Sequence, residues 1–120
     1  MSENQNNKKY DLEDRTYKFA KRVRDFFKKI KKTTTSIEDG KQLVRASGSV
    51  GANYIEANES LGKKDFVMKI KICRKEAKES RYWLRLLEAS DGNEENDRQA
   101  LMKEATELMM IFSAIMRKSL

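Results

Sequence analysis

The chain contains no histidine, no proline and a single cysteine in 120 residues. Without histidine it lacks the commonest general base and metal ligand. The paired Glu-x-x-His sites of a di-iron helical bundle are therefore excluded. The one cysteine, Cys73, permits no intramolecular disulfide and suits a reducing compartment. With no histidine to activate it, a thiol nucleophile is not expected. Gly-rich phosphate loops, zinc-ligand spacings and Ser/His/Asp sets are also missing. Gly48-Ser49-Val50-Gly51 lacks the Lys-Ser/Thr that follows a phosphate loop, and no strand signal precedes it. The expectation is a chain that is not an enzyme and uses no cofactor and no metal. No apolar run approaches the roughly 20 residues needed to span a bilayer. Residues 1–9 lack the apolar core of a signal peptide. A cytoplasmic location with no membrane partner follows as the default.

The composition that remains favours helix. Only five glycines interrupt a chain rich in Lys, Glu, Leu, Ala and Met. The length fits one domain. Hydrophobic residues, at 38%, only equal the charged ones, so the core is modest and oligomerisation would give it more apolar surface to bury. Residues 1–10 read as a flexible polar arm, and residues 11–120 as an all-α, antiparallel up-down-up-down four-helix bundle.

Helix 1, residues 12–32, starts after Asp11 as N-cap and aligns Leu12, Phe19, Val23, Phe26, Phe27 and Ile30. Helix 2, residues 37–60, follows Thr33-Thr34-Thr35, with Thr35/Glu38 or Ser36/Asp39 as a capping box, and ends at a left-handed Gly62. Helix 3, residues 65–90, is capped by Asp65 and aligns Phe66, Ile70, Cys73, Ala77, Leu84 and Leu87. After the turn Asp91-Gly92-Asn93, helix 4, residues 94–118, aligns Leu101, Ala105, Leu108, Phe112 and Ile115. Its methionines at 102, 109 and 116 read as core packing.

Helix 2 holds Gly40, Gly48 and Gly51, each costing about 1 kcal/mol against alanine. Close approach of another backbone is the expected compensation. The same helix carries Arg45, Ser49, Asn53 and Glu56 along one side, with Glu76 and Glu79 of helix 3 as partners for Arg45 or Asn53. These six are candidates for buried polar or interface positions, where a charge pair fixes register more than it stabilises.

The net charge of +7 is unevenly spread: residues 8–32 carry +7 and residues 63–85 carry +6, whereas 33–62 and 86–120 are acidic. Lys18, Arg22, Lys28, Lys29 and Lys32 on helix 1, and Lys71, Arg74, Lys75 and Lys78 on helix 3, are the candidates for phosphate contacts. A solvated lysine-rich surface is the other reading of the same residues. No base-reading or aromatic stacking element stands out, so little sequence specificity is expected.

Arg45-Ala-Ser-Gly-Ser-Val-Gly-Ala-Asn-Tyr-Ile-Glu56 resembles the helix-2 signature of the four helix bundle protein family, also called ribosomal-RNA intervening-sequence proteins. Glu76-Ala-Lys-Glu-Ser-Arg-Tyr-Trp-Leu84 is similar to its helix-3 pattern, and Glu104-Ala105 with Phe112-Ser-Ala-Ile115 to its helix 4. Tyr54 stands where a smaller aliphatic residue is usual, and Ala57-Asn58 replaces the common glycine. The resemblance implies a homopentamer with a positively charged surface. It extends to the accessory variability determinant of diversity-generating retroelements, which binds a reverse transcriptase and nucleic acid. Two functions are thus expected in competition: a non-enzymatic oligomer that binds RNA or DNA through phosphates, or a protein-interaction scaffold that docks a partner such as a reverse transcriptase.

Overall fold

The computed structural model describes residues 3–120, with side chains from Asp11 onward. Four α-helices make up the fold: α1 (Glu3–Lys29), α2 (Thr34–Asn58), α3 (Lys63–Leu86) and α4 (Gly92–Ser119), with no strand among the described residues. None of these helices is long and apolar enough to cross a membrane.

α1 begins well before the expected start at residue 12. It already includes residues 3–10 of the expected arm, which makes Asp11 an interior residue rather than an N-cap. A helix satisfies most of its backbone polar groups internally, so polar residues can extend it ahead of Leu12, which is buried. Met1 and Ser2 lie outside the described residues.

The capping box of α2 falls on an earlier pair than expected. Ser36 N donates to Thr33 Oγ1 at 3.1 Å, and Thr33 N donates to Ser36 Oγ at 2.7 Å. Ser36 Oγ also donates to the carbonyl of Lys31 at 3.0 Å, which ties the connection between α1 and α2 to this register. Gly62 corrects a second expectation: it is the N-cap of α3, in extended conformation at φ −140 and ψ 161, while α2 closes at Glu59. Asp65 stands in the first turn of α3, where its charge opposes the positive helix pole, rather than at the cap. Asp91 caps α4, its Oδ1 accepting from Glu94 N at 2.8 Å.

The expected apolar stripes form one core. Phe19, Val23 and Phe26 of α1, Leu43 and Val50 of α2, Ile70, Cys73, Ala77 and Leu84 of α3, and Leu101, Leu108 and Phe112 of α4 are buried together. Tyr54 joins them, its ring 5.8 Å from that of Phe112. The neighbouring Asn58 uses its Nδ2 to donate to Glu13 Oε2 at 2.9 Å, tying α2 to α1.

Among the described residues, close backbone approaches link α1 to α2, α2 to α3, α3 to α4 and α4 back to α1, while the diagonal pairs meet only through core side chains such as Tyr54 and Phe112. The helices therefore occupy the corners of a square, and α1 is diagonal to α3. The longest dimension, 47 Å, is set by helix length, since 28 residues of α4 rise about 42 Å at ~1.5 Å each.

The glycines of α2 face α1. A Cβ on Gly51 would lie 2.9 Å from Thr16 Oγ1, and one on Gly40 would collide with one edge of the Phe27 ring, 2.1 Å from its nearest carbon. Thr16 is itself buried and donates to the carbonyls of Leu12 and Glu13. Side chains of α1 thus fill the space that α2 leaves open, so the expected close approach occurs, mostly against side chains rather than backbone.

Candidate nucleic-acid interface

Helix α3 buries Ile70, Cys73, Glu76, Ala77, Ser80 and Leu84. Its helical period then forces Lys64, Met68, Lys71, Lys75, Lys78, Tyr82 and Arg85 onto the opposite face, and all seven are exposed. The row alternates steps of four and three residues and spans about 32 Å at ~1.5 Å per residue. It contains five cations and no carboxylate. Lys64, Lys71, Lys75, Lys78 and Arg85 form no salt bridge among the described residues, and neither does half-buried Arg74. Of the four α3 residues expected from sequence, Lys71, Lys75 and Lys78 lie on this row and Arg74 lies beside it.

The α1 candidates are arranged differently. Lys18 pairs with Asp14 at 2.8 Å, which raises the lysine's pKa through that hydrogen bond, and Lys29 reaches Asp97 at 3.5 Å. Lys32 donates to the carbonyls of Phe27 and Ile30, at 2.5 and 2.6 Å, and lies over the Phe27 ring. It closes the end of α1. Arg22 and Lys28 are exposed without a salt bridge among the described residues. Because α1 and α3 are diagonal, their two basic sets stay apart and form no continuous patch.

The polar strip of α2 separates into three environments. Arg45 bridges to α3, with Nη1 donating to Glu76 Oε2 at 3.0 Å and Nη2 to Glu79 Oε2 at 3.1 Å. Only Glu76 is buried, while half of the Arg45 side chain remains exposed. Ser49 and Asn53 are half-buried and turn back on their own helix, donating to the carbonyls of Arg45 and Ser49. Glu56 is exposed and accepts from Lys69 at 3.1 Å, an ion pair that raises the lysine's pKa. In the single chain, burial is thus confined to one member of the six, Glu76.

Tyr82 is an exposed aromatic residue that composition did not single out. Its ring meets that of Trp83 edge-on, with centroids 5.1 Å apart and planes at 76°. A cleft of about 560 Å³ between α2 and α3 is bounded by Arg45, Lys75, Lys78, Tyr82 and Trp83 together with the acid Glu79, which pairs with Arg45. Another, about 470 Å³, lies on the α4 side and is bounded by Lys78, Arg81, Tyr82, Arg85 and Met102. The missed signal was the 4–3 register of Lys64, Tyr82 and Arg85 with the three lysines already identified.

Cys73 is fully buried, and burial pushes its thiol up to about 12. At neutral pH it is a packed apolar group rather than a nucleophile.

The sequence pattern of the 23S rRNA-intervening sequence protein family matches residues 8–114. A crystal structure of a protein with unknown function from the S23 ribosomal protein family, from Bacteroides thetaiotaomicron, has a TM-score of 0.78 and 27% identity to this chain. That alignment covers 92% of this chain and 98% of the other. No curated protein matches the sequence.

Proposed function

We propose a function from one premise: this chain belongs to the 23S rRNA-intervening sequence protein family. It acts as a non-enzymatic nucleic-acid-binding protein that holds RNA or DNA through phosphate contacts, with low sequence specificity. The observation that carries this reading is the carboxylate-free row on α3, whose five cations are unpaired within the described residues. Cations already satisfied by acids, such as Lys18 and Lys29, gain less from a phosphate than these do. The buried, protonated Cys73 supports the non-enzymatic part of the reading.

The working unit is a homopentamer of antiparallel up-down-up-down bundles. Support for the antiparallel order comes from cross-helix pairs that run in opposite directions, since Arg45 meets Glu79 while Glu56 meets Lys69. Similarly, Arg15 meets Glu104 while Lys29 meets Asp97. Self-association is supported by the outward strip of α2, where Ile37, Ala52 and Ile55 are exposed apolar side chains one face apart from the core. Five copies would multiply weak contacts through multivalency. Sedimentation gives the oligomer number, and a clean monomer overturns this part of the reading.

Binding to an RNA hairpin and a DNA duplex across a salt series tests the function. With three to five phosphates engaged, log K falls with log salt at a slope of about −2 to −4. Reversing Lys71, Lys75 and Lys78 to Glu abolishes binding, whereas reversing Lys28, Lys29 and Lys32 weakens it less. Negligible affinity at low salt, or affinity indifferent to salt, overturns the reading. The second reading, docking of a protein such as a reverse transcriptase, is supported by exposed Tyr17 on α1 and Met110 on α4. Partner capture that survives the α3 reversal would favour it.

A further inference from the structure

We propose that Tyr82 is a base-stacking platform and that the α3 face is a site for single-stranded nucleic acid rather than duplex. This rests on the phosphate-binding reading of the same face and names its substrate class.

Tyr82 is 56% exposed toward the C-terminal end of a basic row, between Lys78 and Arg85, where an aromatic ring loses favourable burial unless something covers it. Lys78 lies one turn before it and Arg85 one turn after, both on the same exposed row. The ring forms part of both clefts, and Lys78 is the other residue common to the two. The aromatic ring therefore stands on a ridge, with cations at each end and a recess at each side.

Its orientation is supported from the side. The edge-to-face contact with Trp83 restricts the Tyr82 ring, and Trp83 in turn packs against the core. A ring held in this way loses little rotamer freedom when a base stacks on it. Duplex nucleic acid cannot use such a platform, because its base faces are already stacked and its outer surface is phosphate and sugar. A single strand offers unstacked π faces together with phosphates for Lys75, Lys78 and Arg85, the combination that defines single-strand recognition. Arg81 borders the α4-side cleft and is held by Thr106, its Nη1 donating to Thr106 Oγ1 at 3.1 Å. That positions a second planar group for contact with a base displaced into the recess.

The test uses the full chain and labelled 12-mers of oligo-U RNA and oligo-dT DNA, with a duplex of mixed sequence for comparison, at low salt. Affinity is read by fluorescence anisotropy for the wild type, Tyr82→Ala, Tyr82→Phe and the Lys71/Lys75/Lys78→Glu variant. The expected result is tighter binding of at least one single strand than of the duplex. Tyr82→Ala then weakens single-strand binding about tenfold and leaves duplex binding unchanged, while Tyr82→Phe retains the wild-type preference. The two oligomers separate an RNA preference from a DNA preference, and either outcome supports the proposal. Equal or tighter duplex binding, or a Tyr82→Ala variant that matches the wild type on single strands, overturns it. In that event the phosphate reading stands if the triple reversal still removes binding. If no nucleic acid binds at all, both readings fall. Since Tyr82 is exposed, circular dichroism of the alanine variant is expected to match the wild type. A loss of helix there, without rescue by Tyr82→Phe, would assign the residue to folding and overturn the stacking role.

Discussion

Three glycines of one helix have unequal roles, and the difference can be read atom by atom. At Gly48 the nearest atom to an added Cβ is Arg24 Nη2, at 3.3 Å, the far end of a flexible side chain. Gly48→Ala therefore keeps most of the helix-propensity gain and is expected to stabilise the protein by up to about 1 kcal/mol. Gly51→Ala meets Thr16, whose Cβ would be 3.2 Å away and whose hydroxyl is bound to its own helix. Relief requires α1 to move, so a loss of about 1–2 kcal/mol is expected. Urea unfolding of the two variants should give midpoints on opposite sides of the wild type. Arg45 offers a second comparison. Arg45→Ala leaves the buried Glu76 carboxylate without its partner and is expected to cost about 1–3 kcal/mol, reduced because Arg45 is half exposed. Glu76→Gln keeps a hydrogen-bond acceptor for Arg45 and is expected to cost less in the same unfolding assay.

At the scale of helices, the sequence made the number, order and core faces of the elements legible because apolar residues recur at helical spacing. That spacing puts Phe19, Val23, Phe26, Ile70, Leu84, Leu108 and Phe112 in the interior, where they lie. The ends were less legible. Several Thr and Ser residues between α1 and α2 satisfy the same capping pattern, and the hydrogen bond from Ser36 to Lys31 that goes with one register depends on how the chain turns after α1, which the pattern does not specify. Gly62 could close one helix or open the next, and its extended backbone decides for opening. The candidate site was half legible: the lysines were counted, but segment charge does not say that α1 and α3 sit at opposite corners. The same arrangement predicts unequal stability. Among the described residues, α3 packs extensively on both α2 and α4, whereas α1 makes the sparser contacts with its two neighbours. Amide hydrogen exchange should therefore show lower protection for buried α1 residues such as Val23 than for Ile70 or Ala77 of α3. Equal protection would mean that all four helices open together.

For the whole molecule, the interior sets an alkaline limit. Cys73 has an ordinary value of 9.0 and is held near 12 by burial, so the folded state binds its proton more tightly than the unfolded chain. Its contribution is fully present below pH 9 and is lost as pH rises from 9 toward 12. Within that window stability should fall by about 1 kcal/mol per pH unit from this group alone. Chemical denaturation of Cys73→Ala, compared with the wild type at several alkaline pH values, should show a shallower decline. A parallel decline in both proteins would assign the effect to other groups. The edge-to-face aromatic pair has a different kind of consequence. Trp83 is the chain's only tryptophan, and it meets Tyr82 edge-on while bounding the cleft toward α2. The protein thus carries a native chromophore at the edge of one of its two basic faces. A change in its emission reports what happens at α3, while the lysines of α1, at the far corner, remain optically silent.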